Sequence, residues 1–154
     1  MAYEIELRRI PRQDVAMVRY TSVPSEIGAG LGAAYGEIGA YLHERGLEHP
    51  DTVVYMRVRP AGPDREVEAG FTVTAPIEGA GRVRPGSLPE CEAAVVTHVG
   101  SYAGLPAGYA AIQAWLTANN RASADYPWEA YLTDPQTTPM EQNLTEIVWP
   151  IRPL

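Results

Sequence analysis

The feature that most constrains this chain is a repeat at a spacing of 74 residues. Gly30-Leu31 falls on Gly104-Leu105, Tyr35 on Tyr109, Ile38 on Ile112, Ala40 on Ala114 and Leu42 on Leu116. Leu31, Tyr35, Ile38 and Leu42 recur at helical spacing, as do Leu105, Tyr109, Ile112 and Leu116. Each stretch therefore predicts an amphipathic helix with the same apolar stripe. Gly46 and the pair Asn119-Asn120 supply the expected stops. At the same spacing Val73-Thr-Ala-Pro-Ile77 falls on Ile147-Val-Trp-Pro-Ile151, and Tyr55 meets Tyr131 once the intervening loop has grown by two residues.

The helices are set among strand patterns. Glu4-Ile-Glu-Leu7 alternates, Val15-Ala-Met-Val-Arg-Tyr20 is rich in strand formers, and Pro11 and Asp14 lie between them as turn residues. Ser22-Val-Pro-Ser-Glu26 signals a helix start. Thr52 to Val58 and Glu66 to Ala75 read as strands joined by a turn at Pro60-Ala-Gly-Pro-Asp64. In the second half Arg82-Val-Arg84, Glu92 to Val99, a stretch around Glu129 and Leu144 to Trp149 read likewise. The expectation is one α+β domain over 1–154, an internally duplicated β-α-β-β unit (ββαββ with its leading strand), with repeats of about 1–78 and 79–154. Such a duplication places two helices on one face of an antiparallel sheet and a ligand cleft near the pseudo-twofold axis.

Within that frame Tyr126-Pro-Trp-Glu-Ala-Tyr-Leu-Thr-Asp-Pro135 stands out. Strand alternation sends Glu129 and Tyr131 to one face and Trp128, Ala130 and Leu132 to the other. The repeat partner of Glu129 is Val53, so the scaffold is nearly symmetric while the charge is not. A solvated strand carboxylate is the plain reading, and a carboxylate set in an aromatic cleft is the functional one.

Composition narrows the classes. At 154 residues, 45% hydrophobic and 20% charged, the chain is of globular type and long enough to bury a core without disulfides or metals. A net charge of −7 disfavours nucleic acid, whose phosphates need clustered cations; Arg8, Arg9 and Arg12 make only a small group. The single Cys91, the lack of a signal-peptide core after Met1 and the lack of a long apolar run predict a cytoplasmic location with no membrane contact. His43, His49, His98 and Cys91 lack compact metal-ligand spacing. Cys91 and His98, seven residues apart on one strand, face opposite ways and do not form a nucleophile pair. Gly28, Gly30 and Gly32 do not form a dinucleotide fingerprint. No metal and no cofactor are expected.

The order Gly100-Ser-Tyr-Ala-Gly-Leu105, Tyr109 to Trp115-Leu116, Glu129-Ala-Tyr-Leu-Thr-Asp-Pro135 and Thr145-Glu-Ile-Val-Trp-Pro-Ile151 resembles the GyrI-like family. That family includes the effector-binding domain at the C-terminal end of BmrR- and Rob-type bacterial regulators. The resemblance implies a central pocket for bulky, often cationic aromatic compounds, with Glu129 as the carboxylate that meets the cation. The first strand begins almost at Met1, so the expectation is a stand-alone binder without a helix-turn-helix module. The family also contains a gyrase-inhibiting protein and hydrolases that open cyclopropane-containing alkylators, and these stand as alternatives.

Tyr131 and Tyr55 are the expected pocket walls beside Glu129, with Phe71, Tyr102 and Trp149 as further walls. Were the protein a hydrolase, Glu129 would be the catalytic base, with Tyr131 or Tyr55 assisting. Tyr35, Tyr109 and Trp115 read as helix-to-sheet packing. The facing of Tyr20 and His98 is left open by the sequence.

Overall fold

The computed structural model describes residues 3–154. It is an α+β fold of antiparallel strands and two helices, in the order β1 (Glu6–Ile10), β2 (Gln13–Ser22), α1 (Leu31–Glu44), β3 (Val54–Ala61), β4 (Asp64–Thr72), β5 (Arg84–Leu88), β6 (Cys91–Val99), α2 (Leu105–Ala118), β7 (Trp128–Tyr131) and β8 (Leu144–Ile151). β1 and β5 lie about two residues beyond their expected starts, whereas β2 contains the expected Val15–Tyr20 and extends past it at both ends. The expected helix start near Ser22 is a 3-10 segment, Pro24–Gly30, that precedes α1. No described helix is long and apolar enough to cross a membrane.

Two compact units divide the chain: Arg12–Pro89, and the segment up to Pro11 together with Glu90–Leu154. In the first, the strand order is β3-β4-β2-β5, and α1 packs Ala34, Ile38, Tyr41 and Leu42 against Ala16, Val18 and Ala69. In the second, the order is β1-β6-β8-β7, and α2 packs Leu105, Ile112 and Leu116 against Ala94, Val96, Ile147 and Ile151. Each unit thus has a strand-helix-strand-strand order with one added strand. Those added strands are exchanged relative to the chain: β1, which leads the first half in sequence, pairs with β6, while β5, which leads the second half, pairs with β2.

Local chemistry explains the shared helix boundaries. At the end of α1, Gly46 takes φ 65°, its N–H bonds to the His43 carbonyl and Leu47 N–H reaches the Leu42 carbonyl. Asn120 does the same for α2 at φ 54°, with Arg121 N–H on the Leu116 carbonyl. Both are left-handed caps that satisfy otherwise orphaned carbonyls. At the helix entries the Gly-Leu pairs are steric. A Cβ on Gly30 would lie 2.6 Å from the Tyr20 ring, and one on Gly104 would lie 2.6 Å from the His98 ring. Tyr20 and His98 therefore face the helix side of their sheets, beneath these entries. Tyr20 donates its hydroxyl to the Ile27 carbonyl, and His98 Nε2 donates to the Ser101 carbonyl. Nδ1 of the same ring is hydrogen-bonded to the Tyr3 hydroxyl at 2.8 Å.

The strand ladders allow the two units to be compared residue by residue. If Tyr20 is matched with His98, then Ala16↔Phe71 corresponds to Ala94↔Trp149, and Phe71 takes the place of Trp149. The segment 73–77, expected to match Ile147–Ile151, lies beyond the end of β4. Met56↔Ala69 then corresponds to Glu129↔Ile147, and Val58↔Val67 to Tyr131↔Thr145. Met56, not Val53, stands where the other unit has Glu129, and Val58, not Tyr55, stands where it has Tyr131. The reason is loop length. β3 and β4 join through a tight turn in which Ala61 pairs with Asp64, whereas β7 and β8 are separated by 132–143, so a constant offset cannot hold across both hairpins.

Candidate functional site

Glu129 sits in the middle of β7 at 8% exposure, with Ile147 as its ladder partner. Both oxygens of its carboxylate are engaged. Oε2 accepts the Tyr109 hydroxyl at 2.7 Å, and Oε1 accepts the Tyr131 hydroxyl at 2.8 Å. Tyr131 reaches it along the same strand face, two residues on. Tyr109 comes down from the second turn of α2, so the side expected to be a polar strand face is in fact roofed by the helix. Trp128 and Ala130, on the opposite face, are also buried, whereas Leu132 lies beyond the strand and is 45% exposed.

Aromatic rings surround this carboxylate. Tyr102 meets Tyr131 edge to face at 5.7 Å between centroids, and Tyr109 meets Trp149 in the same manner at 6.2 Å. Trp149 Nε1 donates to Ser123 Oγ. Tyr102 is exposed, so the Tyr102–Tyr131 pair connects the enclosed carboxylate with the surface. Burial, followed by the charge of Glu129 and its hydrogen bond, pushes the Tyr109 phenol far above its usual value. Burial also raises Tyr102, assisted by Asp134 and Glu129. Both phenols stay protonated at neutral pH, and that of Tyr109 donates to Glu129.

The sequence-selected residues of the first unit, Arg12–Pro89, have other partners. Tyr55 is fully buried, and its hydroxyl donates to Glu68 Oε2 at 2.5 Å; its ring lies so close to Gly70 that a Cβ there would be 2.3 Å away. Phe71 is half-buried against the core under α1, 5.9 Å from the Tyr35 ring. Tyr55, expected as a pocket wall, has Glu68 as its hydrogen-bond partner. Of the expected walls, Tyr131 bonds Glu129, and Tyr102 and Trp149 join it through ring contacts. Tyr109, whose most economical sequence reading is helix-to-sheet packing, also donates to Glu129. Its helix position was legible, but not its reach to β7.

The two buried carboxylates differ in their counter-ions. Glu68, at 2% exposure, accepts from Arg19 at 3.2 Å and Arg59 at 3.1 Å as well as from Tyr55. Glu129 is held by phenols, and no described arginine or histidine pairs with it. A buried charge without a counter-ion is costly, and an entering cation relieves that cost. Tyr35, at the place of Tyr109 in its own helix, finds no carboxylate on β3 and donates instead to the Tyr55 carbonyl. Among the described residues no three His, Cys, Asp or Glu side chains converge as a metal site would require.

The α+β scaffold sets the Glu129 carboxylate and several aromatic rings between a helix and a sheet. The chain belongs to the GyrI-like small molecule binding domain family, whose pattern matches residues 3–152. No curated protein matches it in sequence. Among solved structures it is similar to EcmrR. In the EcmrR–DNA complex it covers all of this chain and 59% of that one, at a TM-score of 0.85 and 20% identity, so it spans under two thirds of that protein. The EcmrR C-terminal domain alone is covered completely, at 0.78 and 19%. It is also similar to SAV2435 bound to tetraphenylphosphonium, with a TM-score of 0.70, 12% identity and 97% of this chain and 94% of that one covered. A third relative is a hydrolase from Listeria innocua, with a TM-score of 0.65, 14% identity and 98% and 93% covered. At these identities the likeness is one of fold.

Proposed function

We propose that the protein is a cytoplasmic multidrug-type binder that takes up bulky hydrophobic aromatic cations, with Glu129 as the charge that selects them. The observation that carries this reading is the enclosed Glu129 carboxylate, oriented by Tyr109 and Tyr131 and ion-paired with no cation among the described residues, beside the Tyr102–Tyr131 pair. A carboxylate has about four acceptor sites, so two phenol bonds leave room for a ligand. Aromatic faces add about 0.5–2 kcal/mol per well-placed cation and accept varied shapes. The structural neighbour bound to tetraphenylphosphonium supports a ligand of this class.

The test is a fluorescence titration with a rhodamine-like cation and with an uncharged analogue of equal size. Tight binding of the cation alone, near micromolar or about −8 kcal/mol, is expected. Glu129→Gln weakens it by about 1–3 kcal/mol. Equal affinity for both compounds removes charge recognition.

Hydrolysis is the second reading, favoured by the same group: a carboxylate that can orient a water next to phenols that can donate to a substrate carbonyl. The hydrolase among the structural neighbours is consistent with it. Incubation with a cyclopropane-containing compound, followed by mass for the gain of one water, decides it. Ring opening at the buffer rate leaves the binder alone standing.

A further inference from the structure

We infer that the Glu129 site favours cations that carry N–H groups, such as a primary ammonium or a guanidinium, and that Thr145 is the residue that tells them from quaternary cations. The inference rests on the cation reading above and narrows its ligand class. One orphaned group carries it. Thr145 is fully buried, and its hydroxyl has no hydrogen-bond partner among the described residues. A buried hydroxyl left unpaired costs free energy, which a ligand that meets it recovers.

Strand register puts this hydroxyl beside Glu129. On β8, Thr145 shares its face with Ile147 and Trp149, which pack under α2. Ile147 is the ladder partner of Glu129 and Thr145 that of Tyr131, so Glu129 and Thr145 are diagonal neighbours on one sheet face. The polar side chains directly opposite Thr145 are committed elsewhere. His98 bonds the Tyr3 hydroxyl and the Ser101 carbonyl, and Tyr131 donates to Glu129.

The same ladder positions in the first unit are apolar: Val67 stands for Thr145, Val58 for Tyr131 and Met56 for Glu129. Val67 is fully buried as well, so this place in the sheet accepts an apolar β-branched side chain. The Thr145 hydroxyl is therefore not needed to build the strand. It belongs with the carboxylate and the phenol as a polar set that the first unit lacks at these positions.

A primary ammonium has three N–H donors and a guanidinium five. One donor can go to Glu129, whose carboxylate keeps about two of its four acceptor sites, and another to Thr145 Oγ1. A quaternary ammonium or a phosphonium has none, so it gains the attraction of Glu129 and leaves Thr145 unpaired. Tyr131, half-buried and in ring contact with the exposed Tyr102, lies directly opposite Thr145. A ligand that parts this pair of rings therefore reaches both groups.

The test is a fluorescence titration of the full chain with two cations on one ring system, anthracenylmethylammonium and its N-trimethyl counterpart. Wild type should bind the primary ammonium about tenfold more tightly, the worth of a charge-assisted hydrogen bond. Thr145→Val, which keeps the shape and removes the hydroxyl, should weaken the primary ammonium about tenfold and leave the trimethyl compound unchanged. Thr145→Ser should keep the preference. The variants separate hydrogen bonding from the larger head of the trimethyl compound. Equal affinity for the two cations in wild type, or an undiminished preference in Thr145→Val, overturns the role of Thr145 while charge recognition by Glu129 stands. Binding of neither cation removes the cation reading itself, and this inference with it. Urea unfolding without ligand is the second readout: Thr145→Val should be at least as stable as wild type. A lower midpoint, or a variant that fails to fold, shows that the hydroxyl is already satisfied in the free protein and overturns the inference.

Discussion

The Tyr109 hydroxyl on α2 lies 2.7 Å from Glu129 Oε2 on β7, and this one bond ties the helix to the strand that carries the candidate site. Removing the donor leaves one oxygen of a buried carboxylate without its partner. Tyr109→Phe is therefore expected to lower stability by about 1–3 kcal/mol, measured by urea unfolding. Tyr131→Phe should cost less, since Tyr131 is half-buried and water can replace it.

Glu129 and Glu68 should respond in opposite ways to the same change. Glu68→Gln strands Arg19 and Arg59 and is expected to destabilise by about 3–5 kcal/mol at most, because those guanidiniums are partly solvated. Glu129→Gln removes a buried charge with no counter-ion among the described residues, and the ligand-free protein should stay within about 1 kcal/mol of wild type or exceed it. Chemical denaturation of both variants checks the contrast. A large loss of stability in Glu129→Gln would mean that the carboxylate is structural.

Glycines in the two helix regions sort by what surrounds them. Gly36→Ala meets open space within α1 and should gain about 0.5–1 kcal/mol from helix propensity. Gly104→Ala would press a methyl group into the His98 ring and should lose about 1–3 kcal/mol. Thermal unfolding of the two single variants gives both signs in one experiment.

Alkaline pH should unfold the protein through its enclosed phenols. Tyr109 and Tyr55 are both raised well above the ordinary tyrosine value, by burial first and then by Glu129 and Glu68 respectively. The folded state therefore keeps protons that the unfolded chain releases. This contribution is fully present below about pH 10 and is lost as pH rises through the folded values. Urea unfolding at stepped pH, followed in parallel by tyrosinate absorbance, should show stability falling above pH 10. The fall should be shallower in Tyr109→Phe.

The sequence by itself determined the two helices, their stripes and their stops. These depend on local rules: helical spacing, left-handed caps at Gly46 and Asn120, and Gly30 and Gly104 where a ring comes close. It also singled out Glu129, because a charge stood out against a repeating apolar pattern. Tertiary structure alone decided what that charge meets. Pairing of strands distant in sequence sent β1 to β6 and β5 to β2, and the 132–143 connection shifted the register so that Met56 took the equivalent place. Tyr55 and Tyr131 look alike in the sequence, yet one binds Glu68 and the other Glu129. Tyr35 and Tyr109 share a helix position, yet the former donates to the Tyr55 carbonyl and the latter to the Glu129 carboxylate. Helical order is written in neighbours three and four residues apart, whereas the partner of a side chain across a sheet depends on loop lengths and ladder register, which no local pattern encodes.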